Sequence, residues 1–354
     1  MSPLRRINIL LAILPVLIFS LGYVLHLSTS PERAKMHLIF FIISYTTFWI
    51  MSFIDFRILD AVHMKIYAFV LITLILVPVL GESILGSVRW ISLGALNFQP
   101  SEFAKFGLVI FIVFYLSKRP NIFTRPKEFL RLFLFVMPII LLVVLQPDLG
   151  SSVILAILFA GILFAAGLNW LYFVLVTALF GLLSTPIWHL LKEYQQQRIL
   201  VFLNPSLDTL GRGYNVIQSL ISIGSGGILG KGFGHGTQSQ LNFLPIYWTD
   251  FVFAAFAEEW GFVGVFILLG FFTVLFLTIL YCVSKATSRV GSILATGVFV
   301  VLFSQFFINI GMNMGLLPVT GIPLPLVSYG GTSMITSALL LGLVHSVWIY
   351  RKQL

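Results

Sequence analysis

The sequence predicts an all-α polytopic membrane protein with about ten transmembrane helices, and three observations carry that prediction. The chain is 59% hydrophobic and only 9% charged, with a mean hydropathy of +1.04, whereas soluble domains run near a quarter charged. Apolar runs of membrane-spanning length recur from end to end. The 21 Lys and Arg residues are also unevenly placed. Thirteen of them fall on one side when the N-terminus is set inside, most densely in the short loops where the positive-inside rule operates. Both termini are therefore expected in the cytoplasm. The net charge of +9 is absorbed by this asymmetry and calls for no nucleic-acid partner.

The spans read as 7–27, 36–54, 64–80, 103–117, 129–146, 151–168, 170–190, 251–282, 290–311 and 331–350. The first follows Arg5 and Arg6 like a signal peptide. It is too long, lacks a small-residue cleavage site and is followed by further spans, so it reads as a retained helix. Between spans 3 and 4 lies an outward segment, 82–102. Span 4 opens at Gln99-Pro100-Ser101-Glu102, and span 6 opens at Gln146-Pro147-Asp148-Leu149. Both have the grammar of helix starts, with Ser101 or Asp148 available to accept the orphan N–H groups. Such N-termini attract phosphate-like anions, although for Asp148 alone ordinary capping is the favoured explanation. A large extracytoplasmic loop, 191–250, joins spans 7 and 8, and residues 1–354 are expected to form a single integral membrane domain. The one cysteine, Cys282, leaves no internal disulfide possible.

Asp250 stands where the polar, glycine-rich part of that loop gives way to span 8. A carboxylate at the mouth of a membrane helix is costly and marks a functional site. Glu258 lies about 80° around the helix and about 12 Å from it, and Glu259 falls on the opposite face. A retaining glycosidase needs two carboxyls about 5 Å apart, which this helix does not supply. Asp250 therefore acts alone or with other segments. Glu258 and Glu259 are read near mid-membrane, either as packing groups or as a proton path.

Among outward cations, Lys105 is three residues from Glu102, close enough for a pair across one helical turn. Arg89 beside Trp90 is a second candidate for an anion, while Arg212 and Lys231 read as snorkelling interfacial charges. The run Gly224–Gly232 fails as a nucleotide loop, because Ser225 and Gly232 stand where Gly and Ser or Thr are required. Its glycines fit tight turns. His235 is alone and receives no metal role. The prolines of Leu317–Pro325, followed by Ser328–Ser333, suggest a stiff re-entrant turn into the last span.

Together these residues resemble the SEDS family (shape, elongation, division and sporulation). The resemblance runs through Arg89-Trp90, Phe98–Glu102 with Ala104-Lys105, Gln146–Gly150, Gly213–Ser219, Gly236–Leu241, Thr249–Phe251 with Ala257–Glu259, Asn313–Pro318 and Pro323–Thr332. Gly236–Leu241 and Val319–Pro325 look more like the elongation branch than the division branch. The resemblance implies a bacterial cell-membrane peptidoglycan glycosyltransferase polymerising lipid II, an undecaprenyl-diphosphate-linked disaccharide-pentapeptide. It also implies a class B penicillin-binding protein as transpeptidase partner, with Asp250 matching the family's essential aspartate. Two departures stand out. Ile246 occupies a position where relatives often carry Glu, and Asn97 one where many carry a basic residue.

Forming a β-1,4 bond from an α-diphosphate requires inversion, hence one general base and stabilisation of the leaving diphosphate. Asp250 is expected as the base. Arg89, Gln99, Ser101, Glu102, Lys105 and Asp148 are expected on the substrate side, at the extracytoplasmic face. No cofactor is required by the sequence. A divalent cation, Mg or Mn, would share the diphosphate charge, though no dedicated cage is visible. Two alternatives remain at this level: a flippase for the same lipid, which would use midplane polar groups, and a scaffold for the penicillin-binding protein, which would not need Asp250.

Overall fold

The computed structural model describes residues 6–84, 87–94, 96–190, 193–208 and 211–351. Arg5, Lys192 and Lys352, counted above toward orientation, lie outside them. The apolar runs fold as α1 (Ile9–Thr29), α2 (Pro31–Phe53), α3 (Leu59–Leu80), α4 (Pro100–Ser117), α5 (Pro126–Leu145), α6 (Leu149–Ala165) and α7 (Trp170–Leu182). Three shorter pieces follow before and within the loop, α8 (Ser184–Leu190), α9 (Glu193–Leu203) and α10 (Arg212–Gly226), then the single turn α11 (Thr237–Gln240). The chain closes with α12 (Val252–Lys285), α13 (Arg289–Asn313) and α14 (Gly331–Tyr350). Eight of the described helices are long and apolar enough to cross a membrane, and α6 and α7 are shorter apolar helices.

Several starts follow local rules. Pro31, Pro100 and Pro126 occupy first-turn positions, where the missing N–H costs nothing and φ is already helical. Asn8, Asp148, Asn169 and Ser288 accept backbone N–H bonds at the starts of α1, α6, α7 and α13. The run expected as one span over 170–190 instead breaks at Leu183. Pro186 follows closely and its ring disfavours continuous helix through the preceding residues.

Residues 82–98, expected as loop, contain a three-stranded antiparallel sheet: β1 (Glu82–Ile84), β2 (Ser87–Leu93) and β3 (Leu96–Phe98). Trp90 pairs with Glu82, and Ile91 with Phe98. The alternation Val88, Trp90 against Arg89, Ile91 is too short to be conspicuous among membrane-length runs, yet it suffices for a hairpin lying on the bundle.

The core is centred on α4. Leu108, Val109, Ile110, Phe111 and Ile112 are all fully buried, against α3, α6, α13 and α14. α14 also packs along α2, and α12 along α1 and α13. α7 is the opposite case. Leu175, Leu179 and Leu182 are among its many exposed apolar residues, a surface suited to lipid rather than water.

Candidate active site

The first turn of α12, the end of α13 and the segment 314–330 meet around Asp250. Three consecutive carbonyls are held there. The Tyr329 N–H donates to the Trp248 carbonyl at 2.8 Å, and the Ser328 hydroxyl to the Thr249 carbonyl at 2.6 Å. The Asp250 carbonyl accepts from the side-chain amides of both Asn309, at 3.0 Å, and Asn313, at 2.9 Å. Those asparagines are one helical turn apart on α13 and wholly buried. The Arg33 guanidinium stacks over Trp248, 3.7 Å from the ring centroid, and His26 contacts the Val327 carbonyl. The backbone around Asp250 is therefore fixed from α1, α13 and the proline-rich segment.

The carboxylate itself is differently situated. The Thr249 hydroxyl is the side-chain hydrogen-bond donor acting on it, and Arg89, Arg198 and Asp148 are the charges in range. Burial pushes its pKa up to about 6, and the Thr249 hydroxyl and the two arginines only partly oppose this while Asp148 reinforces it. Gly321, at φ +73°, lies against it, and a Cβ there would sit 3.3 Å from Oδ2. A glycine at this position gives both the left-handed backbone and the room.

Beside this, Arg89, Gln99, Ser101 and Asp148 form a polar knot. Asp148 accepts from the Ser151 N–H at 3.2 Å, the Ser101 hydroxyl at 2.8 Å and the Gln99 amide at 3.2 Å. The starts of α4 and α6 are thus locked to each other. Arg89 donates to the carbonyls of Gln146 and Pro147 and approaches Asp148 to 4.0 Å. It closes the end of α5 while keeping positive charge near Asp250. The α6 start meets the re-entrant segment, since a Cβ on Gly150 would lie 2.7 Å from the Thr320 carbonyl. Lys105 and Glu102 pair at 2.5 Å, both buried, with one Glu102 oxygen unpartnered. Their charges are not among those acting on Asp250. The geometry joins Arg89, Gln99, Ser101 and Asp148 directly and leaves the Lys105–Glu102 pair one turn deeper in α4.

Glu258 and Glu259 are both engaged by neighbouring segments. α12 is broken at Gly261, where φ is +61° and ψ −164°, and both glutamates precede the break. Glu258 accepts from Lys231 at 2.6 Å, the Thr237 hydroxyl at 3.1 Å and the N–H groups of Gln238 and Ser239. It caps α11, and Lys231 is an ion-pair partner rather than a snorkelling charge. Glu259 accepts from the Ser28 hydroxyl at 2.5 Å. Backbone bonds from Lys231 and Gly232 to the Glu258 and Glu259 carbonyls, and from Phe262 and Val263 to those of Gly227 and Ile228, splice the glycine run into the break. A Cβ on Gly230 would fall 2.2 Å from the Glu259 carbonyl, so these glycines serve close backbone approach. Among the described residues no cluster of three or more His, Cys, Asp or Glu could hold a metal. The Arg212 side chain lies outside the described set.

Sequence reasoning passed over Asn309, Asn313, Gly321 and Arg198. Two asparagines four apart inside an apolar span are a legible signal of a buried polar task. Nothing local distinguishes Arg198 or Gly321.

The fold and this arrangement define a polytopic helical membrane protein with a cluster of polar and ionisable residues around Asp250. A family model described as "Cell cycle protein", covering FtsW, RodA and SpoVE, matches residues 3–353. The peptidoglycan glycosyltransferase MrdB of Escherichia coli K12 is 41% identical over 290 residues, 82% of this chain and 78% of that protein. A probable peptidoglycan glycosyltransferase FtsW of Haemophilus influenzae is 36% identical over 344 residues, 96% of this chain and 86% of that one. Among solved structures, one reported under the heading of polymerization and crosslinking by a peptidoglycan synthase complex superposes with a TM-score of 0.83 at 34% identity, covering 98% of this chain and 99% of that one. The rod shape determining protein RodA of Thermus thermophilus gives 0.74 at 29% identity, with 98% of each chain covered. The chain belongs to the SEDS family, and with it to the peptidoglycan glycosyltransferases.

Proposed function

We propose that the chain polymerises lipid II into glycan strands during cell-wall elongation, with Asp250 as general base in an inverting transfer. The observation that carries this is the contrast within Asp250 itself: a carbonyl clamped by two amides and a carboxylate left available between arginines. A base poised near 6 is ionised at neutral pH yet basic enough to take a proton from an acceptor hydroxyl. The hydroxyl oxygen attacks the anomeric carbon, the proton passes to Asp250, and the lipid diphosphate leaves with the bonding pair. Arg89 and Arg198, with the N-termini of α4 and α6 at Ser101 and Asp148, offset the charge of that leaving group. Gln99 holds the two starts together, and the Glu102–Lys105 pair braces α4 one turn deeper.

In this reading both termini are cytoplasmic and Asp250 faces the extracytoplasmic side. A class B penicillin-binding protein is the partner, the assembly suggested by the synthase complex that the chain resembles. The carboxylate oxygens of Asp250 fit a divalent cation only as companion to the substrate diphosphate, the way Mg²⁺ uses one or two carboxylates with phosphate oxygens. A flippase would use midplane acids, and the full engagement of Glu258 supports polymerisation over that alternative. The decisive experiment is polymerisation of purified lipid II by the purified protein and by Asp250→Asn. The variant should lose about 10²–10⁴ in rate while inserting normally. Near-wild-type polymerisation by it would overturn the assignment.

A further inference from the structure

In an unbroken helix, the N–H of Ala254 would donate to the carbonyl of Asp250, four residues back. Here it does not. The Ala254 N–H donates at 3.1 Å to Oδ1 of Asn313, and Nδ2 of the same asparagine donates at 2.9 Å to the Asp250 carbonyl. One side-chain amide thus stands inside what would be the first hydrogen bond of α12, with both of its ends engaged. Its remaining N–H reaches the Asn309 carbonyl at 2.8 Å, so both of its N–H donors are engaged. Asn309 supplies the second donor to the Asp250 carbonyl and spends its other N–H on the Ile322 carbonyl at 2.7 Å.

We infer that Asn313 is a wedge, and Asn309 its brace, that hold Asp250 out of the α12 helix and so aim its carboxylate at the reacting hydroxyl. Both are positioning residues for the transfer, and the inference rests on the general-base reading of Asp250. The physical reason for using amides is economy of charge. An amide replaces donor and acceptor together, keeps both backbone groups satisfied and adds no ion beside the base. An aliphatic residue would let the helix close by one bond and draw Asp250 into the turn. An aspartate would keep the acceptor for Ala254 but face the Asp250 carbonyl with a second acceptor. Through Ile322, Asn309 also fixes the segment carrying Gly321 relative to the carboxylate, so the two asparagines set both the base and the wall opposite it.

The test is steady-state lipid II polymerisation by Asn313→Ala, Asn309→Ala and Asn313→Asp, with Asp250→Asn alongside. Misplacing a reacting group by about 1 Å costs about 10²-fold, so Asn313→Ala should lose kcat on that order while KM for lipid II stays within about twofold. Its thermal midpoint should hold, because Ala254 can bond Asp250 directly. Its acid limb of kcat/KM should also move to lower pH. The groups facing the carboxylate are Thr249, Arg89 and Arg198, which favour its charge, and Asp148, which opposes it. A carboxylate drawn from burial among them titrates nearer the ordinary range. A purely structural asparagine would instead lower the midpoint and leave the pH profile in place. Should Asn313→Ala not fold, Asn309→Ala, lacking one of two donors to the same carbonyl, carries the same test with a smaller fall, and Asn313→Asp adds the acceptor-only arm. Asparagine variants with wild-type kcat and pH profile beside an inactive Asp250→Asn overturn the wedge alone. A fully active Asp250→Asn overturns the base reading and the wedge together.

Discussion

Asp250 and Glu258 are eight residues apart, one just ahead of α12 and the other within it, and they spend their carboxylates in opposite ways. Glu258 is completely buried and receives Lys231, a hydroxyl and two backbone N–H groups. Asp250 has its carbonyl doubly bonded and its carboxylate acted on by one hydroxyl and by charges at a distance. A carboxylate saturated with donors is a structural anchor, because every proton acceptance would break a bond already made. A carboxylate whose backbone is rigid and whose oxygens are not saturated can exchange a proton without moving the fold. Glu258 is also the more deeply buried of the two, and the destination of the oxygen lone pairs is what separates them chemically.

The strongest attempt to break this comparison exchanges the charge at each position. Asp250→Asn should abolish polymerisation with little change in melting, whereas Glu258→Gln should lower the melting temperature and retain most of the turnover of the folded fraction. Losing a buried pair partner costs about 3–5 kcal/mol, and the Gln substitution, which keeps one acceptor, should cost less. Equal losses of kcat for folded Asp250→Asn and Glu258→Gln would erase the distinction. Lys105→Ala comes next. It leaves Glu102 buried without its partner, so both melting temperature and polymerisation should fall, and Glu102→Gln should be milder. A Lys105→Ala protein that melts early but turns over normally would make the pair structural only.

Gly321→Ala sharpens the comparison from the other side. A methyl group 3.3 Å from Oδ2, on backbone at φ +73°, should cost about 1 kcal/mol in stability and on the order of tenfold in kcat by crowding the carboxylate. Unchanged kcat would mean that the reacting hydroxyl approaches elsewhere. The smallest effect near neutrality is that of pH. The base must be ionised, and its pKa is held up to about 6, so kcat/KM should be nearly flat above pH 7. It should fall about tenfold per unit well below pH 6. A flat profile down to pH 5 would point to a base with an ordinary carboxylate pKa.

Much of this was legible in the sequence because the membrane imposes length. The long apolar runs found their helices, except that the run over 170–190 is divided at Leu183, and Asp250 announced itself as an acid at a helix mouth. The Ser101 and Asp148 helix starts were readable for the same reason that capping is local. What stayed hidden was non-local. The hairpin around Arg89 is a few residues of alternation beside far stronger signals. The break at Gly261 depends on Gly227–Gly232 returning from some thirty residues upstream, so the partners of Glu258 could not be read from its neighbours in sequence. The meeting of Arg198 with Asp250 depends on how a loop folds over the bundle, which no window of residues encodes.

The break at Gly261 also divides the length of α12. An unbroken α12 would be roughly 50 Å long, well beyond a hydrocarbon core of about 30 Å. Divided at Gly261, its lower limb is roughly 36 Å, close to a span with modest tilt. The upper limb is spliced to the glycine run, to α11 and to Ser28 instead. The lower limb is braced too, since the Phe262 and Val263 N–H groups bond the Gly227 and Ile228 carbonyls, so the break is pinned on both sides and both limbs keep a fixed relation to the glycine run.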